Sequence, residues 1–198
     1  VIFEPTALSP KEKKLIKEQI KNDCSQKMQD VMDKYVTGDS GIKEISEAAN
    51  EIVDDIFMRE EIVDRVYDIR QRNGDLYDHS IMVASLSIIT ALKMNLSRWE
   101  VYDIGVGSLL DDMGLRYLSV PYQDVDVNEE FDPESLFEFK KHTLYGFSSV
   151  EKETWMSNES KKIILYHHER LDRSGYPFKQ VVMPISVRIV AIADAFDD

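Results

Sequence analysis

His167-His168-Glu169-Arg170-Leu171-Asp172-Arg173-Ser174-Gly175-Tyr176-Pro177 is the stretch on which the reading of this chain turns. It sets two adjacent imidazoles, a glutamate and an aspartate ahead of a Gly-Tyr-Pro turn. Only four histidines occur in the 198 residues, and two of them stand here side by side. Neutral imidazole nitrogen is the commonest side-chain metal donor, and carboxylates complete hard divalent sites. Adjacent side chains on a helix diverge by about 100°, so the pair does not face one ion squarely. Paired histidines therefore suit a two-metal cluster, or one ligand beside one substrate contact. The same residues also fit a polar helix end entering a turn, because Arg173-Ser174-Gly175 and Pro177 are ordinary turn chemistry. The segments upstream decide between the two.

Working outward, the other two histidines and several acids sit where a solitary polar group would be costly. Asp75 and His79 lie four residues apart, on one face of a helix, at the start of an apolar run through Ile81, Met82, Ala84, Leu86, Ile88, Ile89, Ala91 and Leu92. A capping Asp and a satisfied core histidine would account for that pair alone. Ser97-Arg98-Trp99-Glu100 is a capping box, and the helix it opens delivers Asp111-Asp112 at its end, where the helix dipole disfavours acids. His142 follows Phe137 and Phe139 on a helix capped by Asp132-Pro133 and expected to run to about Gly146. Asp194 is embedded in Val190-Ala191-Ile192-Ala193 and Ala195-Phe196, one turn before Asp197, and an acid there is hard to place except against a cation. Five segments thus offer His79, Asp111-Asp112, His142, His167-His168 and Asp194. A mixed imidazole and carboxylate set without thiolates suits iron or manganese better than zinc.

Bulk properties bound the alternatives. The formal net charge is −13, which argues against a nucleic-acid groove or an anionic membrane surface as partner. An anionic small substrate stays open to a site that holds cations. A single cysteine, Cys24, excludes an internal disulfide and fits a reducing, cytoplasmic compartment. No stretch has the length of a membrane span and no signal peptide opens the chain. Beginning at Val1 and stopping at Asp197-Asp198, the sequence reads as a fragment of a longer protein.

Helical periodicity runs throughout. Ser9-Pro10 starts a long amphipathic helix through Ile16, Ile20, Cys24, Met28 and Met32 to about Gly38. Further helices carry Ile42 to Ile56 and Ile62 to Ile69. Residues 1–72 hold no histidine and read as a helical packing or dimerisation region, with a homodimer through these helices as the expectation. The acidic stretch from Pro121 to Phe131 reads as a loop or lid. With no strand alternation anywhere, the expected fold is all-α.

In order and spacing these pieces resemble the HD-GYP subgroup of the HD-domain metal phosphohydrolases. His167-His168-Glu169-x-x-Asp172-x-x-Gly175-Tyr176-Pro177 is similar to the family signature His-His-Glu-x-x-Asp-Gly-x-Gly-Tyr-Pro. Lys141-His142 with Gly146 resembles its Lys-His-x-x-x-Gly helix, Arg188-Ile189 through Asp194 and Asp197 its last motif, and Tyr77-Asp78-His79-Ser80 its first histidine. The resemblance implies an HD-domain-like helical bundle over residues 73–198, truncated at its C-terminal end, with residues 1–72 as an N-terminal extension. It implies a phosphodiesterase hydrolysing cyclic di-GMP to pGpG or GMP with two or three divalent ions, iron or manganese. By position, the metal ligands would be Asp75, His79, Asp111, Asp112, His142, His167, His168 and Asp194. Asp112 and Asp197 would serve catalysis, and Tyr176 and Arg188 would meet the substrate.

The chain also departs from the pattern. The family's His-Asp-x-Gly-Lys reads Asp111-Asp112-Met113-Gly114-Leu115, and its Asp-Gly reads Asp172-Arg173. An aspartate replaces the imidazole that names the motif, and a leucine replaces a phosphate-binding cation. A second reading follows, a non-catalytic signalling module that binds metal or cyclic dinucleotide.

Overall fold

The computed structural model describes residues 9–35, 42–118 and 132–197. Among them are nine α-helices, one 3-10 helix and no strand, as the periodicity implies. In chain order these are α1 (Pro10–Tyr35), α2 (Ile42–Phe57), α3 (Glu60–Arg72), α4 (Gly74–Lys93) and α5 (Arg98–Leu109). The 3-10 helix (Asp111–Tyr117) follows, then α6 (Pro133–Phe139), α7 (His142–Val150), α8 (Asn158–Tyr166) and α9 (Ile185–Asp197). The acidic stretch Pro121–Phe131 and the expected helix end at Gly38 lie outside the described residues.

Helix α4 is the axle. It packs against α1, α2, α3, α5 and α9, and Tyr77, Ile81, Val83, Ala84, Ile88, Ile89 and Ala91 are all buried. Burying a side chain of the Val or Ile class stabilises the fold by roughly 1.5–3 kcal/mol. So many apolar positions on one helix explain why it tolerates neighbours on nearly every side. Its cap is Asn73, whose side chain accepts from the amides of Asp75 and Leu76. The capping role that Asp75 could have played in sequence therefore belongs to Asn73, because an asparagine in extended backbone just before the helix reaches both orphan amides. One core cluster runs from Ile20 of α1 to Ala193 of α9.

Two caps read from sequence are in place. Ser97 and Glu100 form the reciprocal box on α5, and Asp132 accepts from Glu134 and Ser135 ahead of Pro133 on α6. One expectation fails. The single helix from Pro133 to Gly146 is two helices, broken by a turn at Lys140-Lys141. The break puts His142 in the first turn of α7, and the Phe139 carbonyl, at the end of α6, receives the His142 ring nitrogen Nδ1–H at 2.9 Å.

Candidate metal centre

Asp112 is delivered by a change of helix type. The Leu110 amide already bonds to Gly107 rather than continuing α5, and the Asp111 carboxylate takes the Asp112 amide at 2.9 Å. Side chains that bond the local backbone compete with helix propagation. The 3-10 helix then crosses α7 at very close range. A Cβ on Gly114 would lie 1.9 Å from the His142 carbonyl oxygen and 2.6 Å from the Gly146 amide nitrogen. Only glycine permits this approach, and the approach puts Asp112 beside His142.

Four residues from three segments converge: Asp112, His142, His167 and His168 offer donor atoms all within 4.8 Å of one another. Asp112 Oδ1 lies 3.3 Å from His142 Nε2 and 3.6 Å from His167 Nε2. Its Oδ2 faces the other way, 3.9 Å from His79 Nε2. Asp194 completes the ring, with Oδ1 3.4 Å from His79 Nε2 and Oδ2 3.5 Å from His168 Nδ1. Each carboxylate therefore stands between two different imidazole sets.

The imidazoles are held in one orientation from behind. His142 Nδ1–H donates to the Phe139 carbonyl, and His167 Nδ1–H donates to that of Ile164 at 3.0 Å. Both leave Nε2 pointing inward, only 3.4 Å apart. His79 Nδ1–H donates to Asp197 Oδ2 at 2.9 Å. Outer partners of this kind fix the tautomer and ring direction of metal-binding histidines.

The Gly-Tyr-Pro loop is shaped by Glu169, a role that the sequence reading left unassigned. This fully buried carboxylate accepts from the amides of Phe178 at 2.6 Å and Gln180 at 2.9 Å. A Cβ on Gly175 would come within 2.3 Å of the Arg170 amide nitrogen, so the loop can fold back only there. The result lays the Tyr176 ring on His168, with centroids 4.7 Å apart and planes at 29°. Lys140 places its ammonium 5.3 Å from the Tyr176 ring centre. Its neighbour Lys141, the residue of the Lys-His motif, is paired with Glu138 three residues earlier, at 2.5 Å.

Not every residue named from sequence enters the cluster. Asp75 is exposed in the first turn of α4, outside the group of converging donors. Arg188 is exposed on the other side of α9, where it lines an apolar groove with Tyr35, Leu86, Ile192 and Phe196. A helix carries side chains around its whole circumference, and the six-residue step from Arg188 to Asp194 turns the arginine away from the acid's face. Asp111 is fully buried, with Oδ1 on the Asp112 amide and Oδ2 without a hydrogen-bond partner. Tyr176 and Asp197 touch the ring of histidines from outside, through His168 and His79.

The site's own charge balance calls for cations. Burial opposes a charge on His79, but the hydrogen bond to Asp194 and the charges of Asp112 and Asp111 outweigh it and lift the ring to about 10. His167 rises to about 9 against the same burial, through Asp112 and Asp111. Burial prevails at His142, which falls to about 4, and at His168, which falls well below its ordinary value. Asp112 resists burial and stays below the usual carboxylate range through His167 and His142. Asp111 is pushed well above that range, first by burial.

These residues fit divalent metal. With metal–ligand bonds of about 2.0–2.2 Å, neighbouring donors sit roughly 3.0–3.5 Å apart, close to most of the separations found here. A second sign is the buried Asp194 Oδ2, which has no hydrogen-bond partner although it is aimed into the ring. Groups of this kind carry a cost of about 1–3 kcal/mol unless something satisfies them.

A family model described as HD domain matches residues 58–198. Over 129 residues the chain is 33% identical to a cyclic di-GMP phosphodiesterase of Thermotoga maritima, covering 64% of this chain and 34% of that protein. Over 132 residues it is 29% identical to the cyclic di-GMP phosphodiesterase response regulator RpfG of Xanthomonas campestris, covering 65% and 34%. The chain spans about a third of the length of these curated relatives. Its fold is similar to that of Bd1817, an HDG"Y"P protein from Bdellovibrio bacteriovorus, with TM-score 0.55 and 19% identity over 98% of this chain and 62% of that one. The likeness to HD-GYP proteins read from the motifs is borne out. Among the described residues no helix is long and apolar enough to cross a membrane.

Proposed function

We propose, from the premise that the chain belongs to the HD-domain family, that it is a metal-dependent phosphodiesterase acting on cyclic di-GMP. The single observation that carries this reading is Asp112, whose two oxygens face separate imidazole sets on His142 and His167 and on His79. Asp112, His142, His167 and His168 would hold one divalent ion, and His79 with Asp112 and Asp194 a second. When bound, such ions neutralise phosphate oxygens and acidify a water for attack on phosphorus.

The chain's own residues do the rest. Phe139, Ile164 and Asp197 keep three imidazoles aimed inward. Tyr176 offers an aromatic edge beside His168 for a base, and Lys140 a nearby cation for a phosphate. Leu115 offers none, being apolar and only 4% exposed. Losing one preorganised contact to developing charge costs about 2.7–4 kcal/mol elsewhere, or roughly a hundred- to a thousand-fold in rate. Turnover should therefore be slow.

The same Leu115 and the buried Asp111 favour the second reading, a binding module without turnover. Metal-loaded protein incubated with cyclic di-GMP, with linear product followed by chromatography, separates them. Slow hydrolysis that Asp111→His with Leu115→Lys accelerates supports the phosphodiesterase. Binding of cyclic di-GMP without product in either protein supports the module. Iron or manganese should accompany the isolated protein, and His167→Ala should lower that content. Stoichiometric zinc, unchanged in the variant, would contradict the metal assignment.

A further inference from the structure

Three of the four imidazoles have their outward nitrogen held, but not by the same kind of group. His142 and His167 donate to backbone carbonyls at Phe139 and at Ile163 and Ile164, a partner that needs no further residue. His79 is held differently, from within α4 between Asp78 and Ser80. Its partner is Asp197 in the last turn of α9, at 2.9 Å from Nδ1. An ionised carboxylate only accepts, so this contact requires the proton on Nδ1. The lone pair of the metal-binding form is thereby placed on Nε2, which faces Asp194 at 3.4 Å and Asp112 at 3.9 Å.

We propose that Asp197 is a positioning residue. By accepting from His79 Nδ1–H it fixes which nitrogen of His79 faces Asp112 and Asp194, and so sets the affinity of the ion that His79 holds. The proposal rests on the metal reading of the site and deepens it. It gives Asp197 a task different from contact with a phosphate, since its carboxylate is committed to the far side of the imidazole ring. It also makes His79 the one imidazole of the three whose outer partner is a side chain. The end of α9 is anchored in turn, because Phe196, next to Asp197, meets Tyr35 of α1 edge to face at 6.2 Å.

The test is a manganese titration of the whole chain, with free Mn(II) counted by electron paramagnetic resonance. The proteins are the parent, Asp197→Ala, Asp197→Asn, His79→Ala and the double variant Asp197→Ala/His79→Ala. Outer-partner substitutions of this kind weaken binding by roughly 10–100-fold. Asp197→Ala should show that loss in the sites that His79→Ala also weakens, and leave the others unchanged. Asp197→Asn keeps a side-chain oxygen near Nδ1 and should lose less. The double variant should bind no worse than His79→Ala, since a residue acting through another has nothing left to act on. A general structural role would weaken every site and add to the His79 effect. If Asp197→Ala does not fold, Asp197→Asn with and without His79→Ala carries the same cycle. Unchanged affinity in Asp197→Ala, or additive losses in the double variant, overturns the positioning role while the metal reading stands. A parent protein that takes up no manganese overturns both.

Discussion

Replacing Glu169 should release the Gly-Tyr-Pro loop before it disturbs anything else. The carboxylate is fully buried and accepts two main-chain amides, from Phe178 and Gln180, at 2.6 and 2.9 Å. Hydrogen bonds to a charged group contribute about 1.5–3 kcal/mol each. Glu169→Ala should therefore cost on the order of 3–6 kcal/mol, enough to threaten folding. Glu169→Gln is the sharper perturbation: its carbonyl oxygen still accepts one amide, while its NH2 meets the other amide donor to donor. About half the loss, roughly 1.5–3 kcal/mol, is expected. For a chain of this size that lowers the melting midpoint by about 3–12 °C. Trypsin reports where the change occurs, because Arg170, Arg173 and Lys179 all lie in this loop. The variant should be cut there faster than the parent, with the helices still resistant. A Glu169→Gln protein that melts within about 2 °C of the parent and shows the same cleavage pattern would refute the clamp.

Cys24 should stay unreactive toward thiol reagents at neutral pH, because burial pushes its thiol up to about 12. The folded value lies above the unfolded one, so this contribution is intact below about pH 9 and is lost as pH rises toward 12. From 9.0 to about 12 it amounts to on the order of 4 kcal/mol, readable by urea melts across that window. Gly114→Ala should cost more than the usual 1–3 kcal/mol or so for overpacking, since its Cβ would meet the His142 carbonyl at 1.9 Å. Soluble, metal-binding alanine variant with parental stability would contradict the close crossing. Asp111→Asn should stabilise the metal-free protein at pH 7 by about 1–3 kcal/mol. Burial raises the Asp111 carboxyl, so the parent loses stability as pH climbs above about 4 and the asparagine does not. An equal difference at pH 4 and pH 7 would count against that.

Much of the helical architecture was legible because its signals are local. The apolar run of α4, the Ser97-Glu100 box and the Asp132-Pro133 start each follow from residues a few positions apart. Local chemistry also explains the misreadings. Asp75 looked like a cap because it is an acid at a helix start, yet Asn73 stands two residues earlier in extended backbone and takes the amides. The break at Lys140-Lys141 had no proline or glycine to announce it. What accompanies it is the His142 ring bonding the Phe139 carbonyl three residues back, and the tertiary approach of α7 to Gly114.

The candidate site divides along the same line. Residue type and burial cost singled out His79, Asp111, Asp112, His142, His167, His168 and Asp194, and all of these except Asp111 come together. Residues proposed by motif position alone fared differently, since position in a motif does not fix a direction in space. Arg188 and Asp194 share α9, yet one lines an apolar groove and the other faces imidazoles. The partners that orient the cluster are harder still to foresee. A backbone carbonyl at Phe139 has no sequence signature, and Glu169 works through amides nine and eleven residues away. Asp111 and Leu115 show the consequence for function. Both replacements are visible in the sequence, but only burial gives them their sign: one leaves a buried, unpartnered carboxyl oxygen next to Asp112, the other is a buried apolar side chain with no cation to offer. The ligand ring can thus persist while the charge that would draw a phosphate diester toward it is reduced, which is why metal affinity and turnover are expected to separate in this chain.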